Sequence, residues 1–184
     1  MYKRQIYDIT TDPIDPPRFD AIARLRPRDA NPVTYAGLYT AEQQRTAYSD
    51  IEPDMTSVSP QEAYDAAMKV ITKRKWHVVD ARPPQGTAPR DGLIEAIART
   101  PILGFRDDVA VRVRATHEGA RTDVRSASRY GRHDLGANAA RLRSLIEDID
   151  DVLATPAKGE KPEKQAPVPK APPQPAAKGA SAKR

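Results

Sequence analysis

Two adjacent carboxylates, Asp107 and Asp108, stand at the entrance of a strand. Such a pair can hold a metal ion or divide acid and base roles between its members. Successive side chains of a strand point to opposite faces, however, so these two are badly placed to share one ion. The plainer use is structural: one pairs with Arg129 or Arg132 and the other caps the turn. Ser128, His133 and Asp134 supply the residue types of a hydrolytic triad. No Gly-x-Ser-x-Gly elbow surrounds the serine, and Asp134 is better used as a helix N-cap. The histidines are His77, His117 and His133, so a metal would need Asp107, Asp108 or Asp123 as co-ligands, and none is expected. A more suggestive cluster is Arg129, Gly131, Arg132 and Gly136 beside a helix start, where backbone N–H groups and two guanidinium groups suit a carboxylate or phosphate. Against it, the arginines can bind the protein's own aspartates, and the glycines can serve backbone geometry. Asp107, Asp108, Arg129, Arg132 and His133 thus form one candidate ligand-binding elbow.

The elements that position this elbow are readable from periodicity. Val109, Val111 and Val113 alternate with Arg112 and Arg114, which predicts a strand over 109–115. Residues 116–120 make a turn, and the chain returns over 122–129. There Val124, Ser126 and Ser128 share one face, and Asp123, Arg125 and Arg129 share the other with the arginines across the hairpin. Further strands are expected at 76–81 and 93–99, and residues 50–58 look extended. Ser59-Pro60-Gln61-Glu62 has the spacing of a capping box with proline in the first turn, which starts a helix over about 60–74. Thr40 and Gln43 suggest a short helix running to about Tyr48, with Thr40 as N-cap. Leu135, Ala139, Leu142, Ile146, Ile149 and Leu153 mark one stripe of a last helix capped by Asp134.

Residues 6–39 resist regular structure. Pro13, Pro16, Pro17, Pro27 and Pro32 forbid a long helix and argue against a central strand. Ile6, Ile9, Phe19, Ile22, Leu25, Tyr35 and Tyr39 are spaced apolar anchors, which suggests an extended arm pinned onto the domain. The resulting fold class is α+β. An antiparallel four- to five-stranded meander carries two helices on one face in helix-grip manner, with an extended N-terminal arm and a disordered C-terminal tail. The arm would cross the opposite face, over Leu93 and Ile97, with its aspartates meeting the arginines there. The divisions are 1–49 for the arm and short helix, 50–154 for the α+β domain, and 155–184 for the tail.

Composition narrows the function classes. Residues 155–184 hold seven of the 18 prolines, with one valine as their only large aliphatic group. They cannot bury enough apolar surface to offset backbone ordering at about 1–2 kcal/mol per residue. They also carry six lysines and one arginine against two glutamates, which equals the +5 of the whole chain and leaves 23 basic and 23 acidic groups in residues 1–154. The basic pI is therefore a property of the tail, and the folded part has no surplus charge for tracking phosphates, so nucleic acid is not an expected partner. The tail itself is expected to be a solvated linker. The chain has no cysteine, which removes disulfides and thiol chemistry. Nothing in it approaches 18 consecutive apolar residues. The first five residues share no pattern with the arm beyond them, so a longer parent with an upstream segment is expected.

The segments GFRDDVAVRVR at 104–114, DVRSASRYGRHDLGANAARLR at 123–143 and YSDIEP at 48–53 resemble the bacterial domain-of-unknown-function family 1499. The arm motif IYDITTDPIDPPRF at 6–19 is similar to what precedes the domain in longer members. The resemblance covers about residues 6–150. It implies membrane helices just upstream of the arm in many members, hence the periplasmic, soluble part of an anchored envelope protein. It implies no catalytic residues and no cofactor. The expected role is a non-catalytic, monomeric envelope domain that binds a protein, lipid or cell-wall partner. The alternative is a small enzyme or anion-binding domain working at the elbow.

Overall fold

The computed structural model describes residues 6–85, 90–99, 104–131 and 135–155. Among these residues, three helices and six strands come in the order β1 (Asp8–Thr10), α1 (Leu38–Ala47), β2 (Asp54–Thr56), α2 (Pro60–Lys73), β3 (His77–Arg82), β4 (Gly92–Arg99), β5 (Arg106–Thr116), β6 (Gly119–Ser128) and α3 (Ala137–Ala154), with a 3-10 turn at Ile22–Leu25. All strands join one antiparallel sheet. The last four form the expected meander, and β1 and β2 share the outer edge of β6. β1 pairs with residues 125–127 and β2 with residues 120–122.

The alternation in β5 divides the sheet cleanly. Val109, Val111 and Val113 join Ile94 and Val124 under α2 and α3 in the main core. The capping box at Ser59 forms as the sequence predicts: its hydroxyl accepts from Glu62 N–H, and the Glu62 carboxylate accepts from Ser59 N–H. Ala63, Ala67, Val70 and Ile71 then face the sheet beside Ala139, Leu142, Leu145 and Ile149 of α3. A fully buried side chain of valine or leucine size stabilises the fold by about 1.5–3 kcal/mol.

Two predicted helix starts move. Thr40 does not cap α1; Gly37 does, with a φ of 74° that favours glycine, and Thr40 lies inside the first turn. The last helix begins at Ala137 with Gly136 as N-cap at φ 87°, two residues beyond the cap position expected from the sequence. Leu135 accordingly falls off the predicted stripe and is 82 % exposed. Asp134 itself lies outside the described residues.

The arm crosses the opposite face. Phe19 and Ile22 form a second, smaller core with Ala110 and Ala127, against which Ile97, Val33 and Val79 pack. The two alanines keep this face of β5 and β6 low enough for the arm's backbone to approach. Gly119 does the same at the edge: a Cβ there would stand 2.2 Å from the carbonyl oxygen of Thr56. Only glycine lets β2 close onto the end of β6.

Candidate functional site

Asp107 and Asp108 point to opposite sides of the sheet. Asp107, on the helix side, meets Arg141 of α3 at 2.5 Å. It does not cap a turn, because α3 places a guanidinium over it. Around that pair Asn138, fully buried, donates to Ser128 Oγ and to the carbonyl of Tyr7, and accepts from Ser126 Oγ and Arg141. Ser128 is thereby a hydrogen-bonded structural group of the α3 seat.

Asp108, on the arm side, is the centre of a different cluster. One oxygen accepts from Nε and Nη2 of Arg129 at 2.9 and 2.8 Å, and the other accepts from Arg26 Nε at 2.6 Å. Asp108 is fully buried and both guanidinium side chains are 3 % exposed. Arg26 also donates to the carbonyls of Asn31 and Pro32, so this cluster ties β5 and β6 to the arm. Asn31 completes the link by donating to the carbonyls of Ser128 and Gly131. Arg132 and His133 lie outside the described residues. Of the five elbow candidates, then, Asp108 and Arg129 come together, and Asp107 is held across the sheet from both.

The same use of charge continues along the arm face. Arg125 grips Asp8 through two hydrogen bonds of 2.9 and 2.6 Å and lies over the Phe19 ring at 4.5 Å. Asp12 and Asp123 are shared among Arg112, Arg114 and Arg121. Burial pushes the Asp12 carboxyl up, but the Asp15 and Ile14 N–H groups with Arg114 and Arg121 bring it below its ordinary value. Glu95, fully buried in β4, accepts from the N–H groups of Asp20, Ala21 and Ile22 at 3.0, 3.0 and 2.9 Å, and so anchors the start of the 3-10 turn. Gln44 of α1 pairs its amide with the N–H and carbonyl of Thr10, extending the sheet edge by one side chain.

Arg26, Arg141, Asn138, Glu95 and Gln44 hold this architecture together, and reading the sequence did not single them out. Only Glu95 carried a signal, as a lone acid inside the apolar strand LIEAIAR. Among the described residues no group of three His, Cys, Asp or Glu side chains is placed to hold a metal ion. No described helix is long and apolar enough to cross a membrane.

A different region presents open surface. An open groove of about 730 Å³ runs between the arm and α1, with Pro13, Ile14, Leu38 and Tyr39 on its walls and Tyr48 and Ile51 deeper in. Ile14, Leu38 and Tyr39 are 92, 84 and 75 % exposed. A smaller hollow of about 330 Å³ lies between residues 50–54 and the α3 side chains Leu142, Arg143, Ile146 and Glu147.

Solved structures similar to this chain include protein MLL2253 from Mesorhizobium loti, at 10 % identity and TM-score 0.36, with 55 % of this chain and 93 % of that one covered. Others are Ara h 8.0201, at 10 % identity and TM-score 0.30 over 56 % and 96 %, and the di-domain ARO/CYC StfQ of the steffimycin biosynthetic pathway, at 13 % and 0.28 over 66 % and 63 %. No curated protein matches the sequence. The model of the protein family of unknown function DUF1499 matches residues 8–149, which takes in the arm, the sheet and most of α3. The chain belongs to the DUF1499 family.

Proposed function

We propose that this is a non-catalytic binding domain of the bacterial cell envelope, held beside a membrane by sequence upstream of the arm, and that its partner docks in the groove between the arm and α1. The observation that carries the binding reading is a contrast. The described carboxylates of the elbow are both held in buried ion pairs, whereas the groove leaves Ile14, Leu38 and Tyr39 almost bare. Large exposed apolar side chains gathered at one concavity mark a contact surface. The envelope placement rests on the family resemblance alone. A photo-reactive side chain at position 38, with one at position 130 beside the elbow as the comparison, tests the reading in bacterial cells. A discrete cross-linked adduct from position 38 only is expected; adducts from position 130 only would sink it. Membrane fractionation of the parent protein tests the placement, and a fully soluble parent would overturn it.

A second reading has one specific observation behind it. Arg26 Nη2 is buried and has no hydrogen-bond partner, and Asp108 faces two guanidinium groups rather than one. An anion at the elbow would satisfy both. A thermal-shift series with phosphate, small carboxylates, sugars and divalent ions separates the two readings: a rise with an anion that Arg26→Lys abolishes would favour the elbow.

A further inference from the structure

The groove and the smaller hollow are not separate. Both are lined by Ile51 and Glu52, so they make one trough that runs from Leu38 and Tyr39, past Tyr48, to Ile146 and Glu147 on α3. Its charge is one-sided. Arg45 is paired to Glu42, and Arg143 to Asp50. Glu52 and Glu147 make no ion pair with any described residue, and Asp54, which lines the hollow, lies close enough to Asp150 for that carboxylate to disfavour its ionisation. The trough therefore combines aromatic and aliphatic walls with a surplus of carboxylates.

One segment of this chain has the opposite properties. Residues 164–175 read KQAPVPKAPPQP, five prolines with two lysines and no acid, within a tail that carries the chain's whole +5. Proline-rich segments favour the extended left-handed helix of about 3.1 Å per residue, and they dock into aromatic-lined grooves at little conformational cost. The sequence alone makes this tail a solvated linker; the trough supplies a complementary surface at the right place. α3 ends at Ala154, about 10 Å along its axis from Glu147 at 1.5 Å per residue. Residues 155–163 then span up to about 28 Å when extended, enough to bring Lys164 back to the trough.

We infer that the tail segment 164–175 docks in the trough of its own chain, with prolines against Tyr39, Tyr48 and Leu38 and lysines beside Glu52 and Glu147. This rests on the reading of the groove as a binding surface, and it adds a regulation: the external partner must displace the tail. The absence of cysteine gives a direct test in the full chain. A nitroxide on Ala171→Cys is expected to reduce the amide signals of Leu38, Tyr39, Glu52 and Glu147 more than twofold. Val78 and Ile97, at the opposite sheet edge, should be unaffected. Raising salt to about 0.5 M, where exposed charges are screened within a few ångströms, should restore the signals, as should Lys164→Glu with Lys170→Glu. Uniform attenuation across both sets of amides would overturn the inference. So would attenuation that persists when the nitroxide sits only on a second copy of the chain, because the contact would then be between molecules. If position 38 cross-links a partner while the nitroxide effect is uniform, this inference fails and the binding reading stands; if both experiments are blank, both fail.

Discussion

The two faces of the sheet are held by opposite physical means. Beneath α2 and α3 the contacts are mainly Val, Ile, Leu and Ala, joined by Tyr64, with Asn138 and the Asp107–Arg141 pair at one end. Beneath the arm the apolar contact is a four-residue buried cluster with Val33, Val79 and Ile97 packed on it, and the buried charge around it is arginine, aspartate and Glu95. Hydrophobic contact is non-directional, so the helix face needs only matching volume. The arm has little regular hydrogen bonding of its own, and apolar contact alone would leave its register loose. Buried ion pairs are directional, and a wrong register would strand a charge in a medium where it costs several kcal/mol. Charge density in this chain therefore marks where an irregular segment is fixed in place.

Substitutions on the two faces should behave differently. Asp108→Ala leaves Arg26 and Arg129 buried without their carboxylate, and should lose about 3–5 kcal/mol in urea denaturation. A loss no larger than a surface substitution would mean that the arm-face charges are incidental. Leu142→Ala, on the other face, should lose about 3 kcal/mol through lost burial and an unfilled cavity, with unchanged salt dependence.

A smaller effect tests the sheet edge. Burial and the nearby Asp150 push the Asp54 carboxyl from its ordinary 3.8 up to about 6, so the folded state prefers it protonated. The stability it contributes is full below about pH 4 and is lost as the pH rises through about 6. Asp54→Asn stays neutral throughout, and should exceed the parent by about 1 kcal/mol at pH 7, discounted for its half-burial, while matching it near pH 4. Equal melting temperatures at both pH values would show that the carboxyl titrates freely. The smallest effect is Arg45→Ala. Its pair with Glu42 is 76 and 66 % exposed, and its loss should change stability by less than about 0.5 kcal/mol. Set beside Asp108→Ala, it isolates burial, and not pairing as such, as the source of the weight that the arm-face charges carry.

Much of the fold was legible. The Val109/Val111/Val113 alternation set the faces of β5, and with them the opposition of Asp107 and Asp108. The Ser59 box marked the start of α2, and the expectation that the arm's aspartates would meet the sheet's arginines is met at Asp8, Asp12 and Asp15. The elbow was legible only in part. Arg129 was expected to pair with one of the two aspartates and does, but Arg26 lies 82 residues from Asp108, and Arg141 lies 34 from Asp107. Nothing local in a sequence names such partners. The two displaced helix starts have a similar cause: Thr40 and Asp134 have the right chemistry for a cap, and Gly37 and Gly136 have the backbone freedom that the incoming chain requires.

Short-range periodicity and composition were enough to determine the meander, the two core helices, the neutrality of residues 1–154 and the basic, proline-rich tail. The tertiary structure decided which charges are consumed and which surface is left open. An ion pair forms where folding brings two distant groups into one desolvated place. A groove is the space left between elements such as the arm and α1, which are joined at Gln44 and Thr10 and part on either side. Both are properties of packing, and no single stretch of chain contains them.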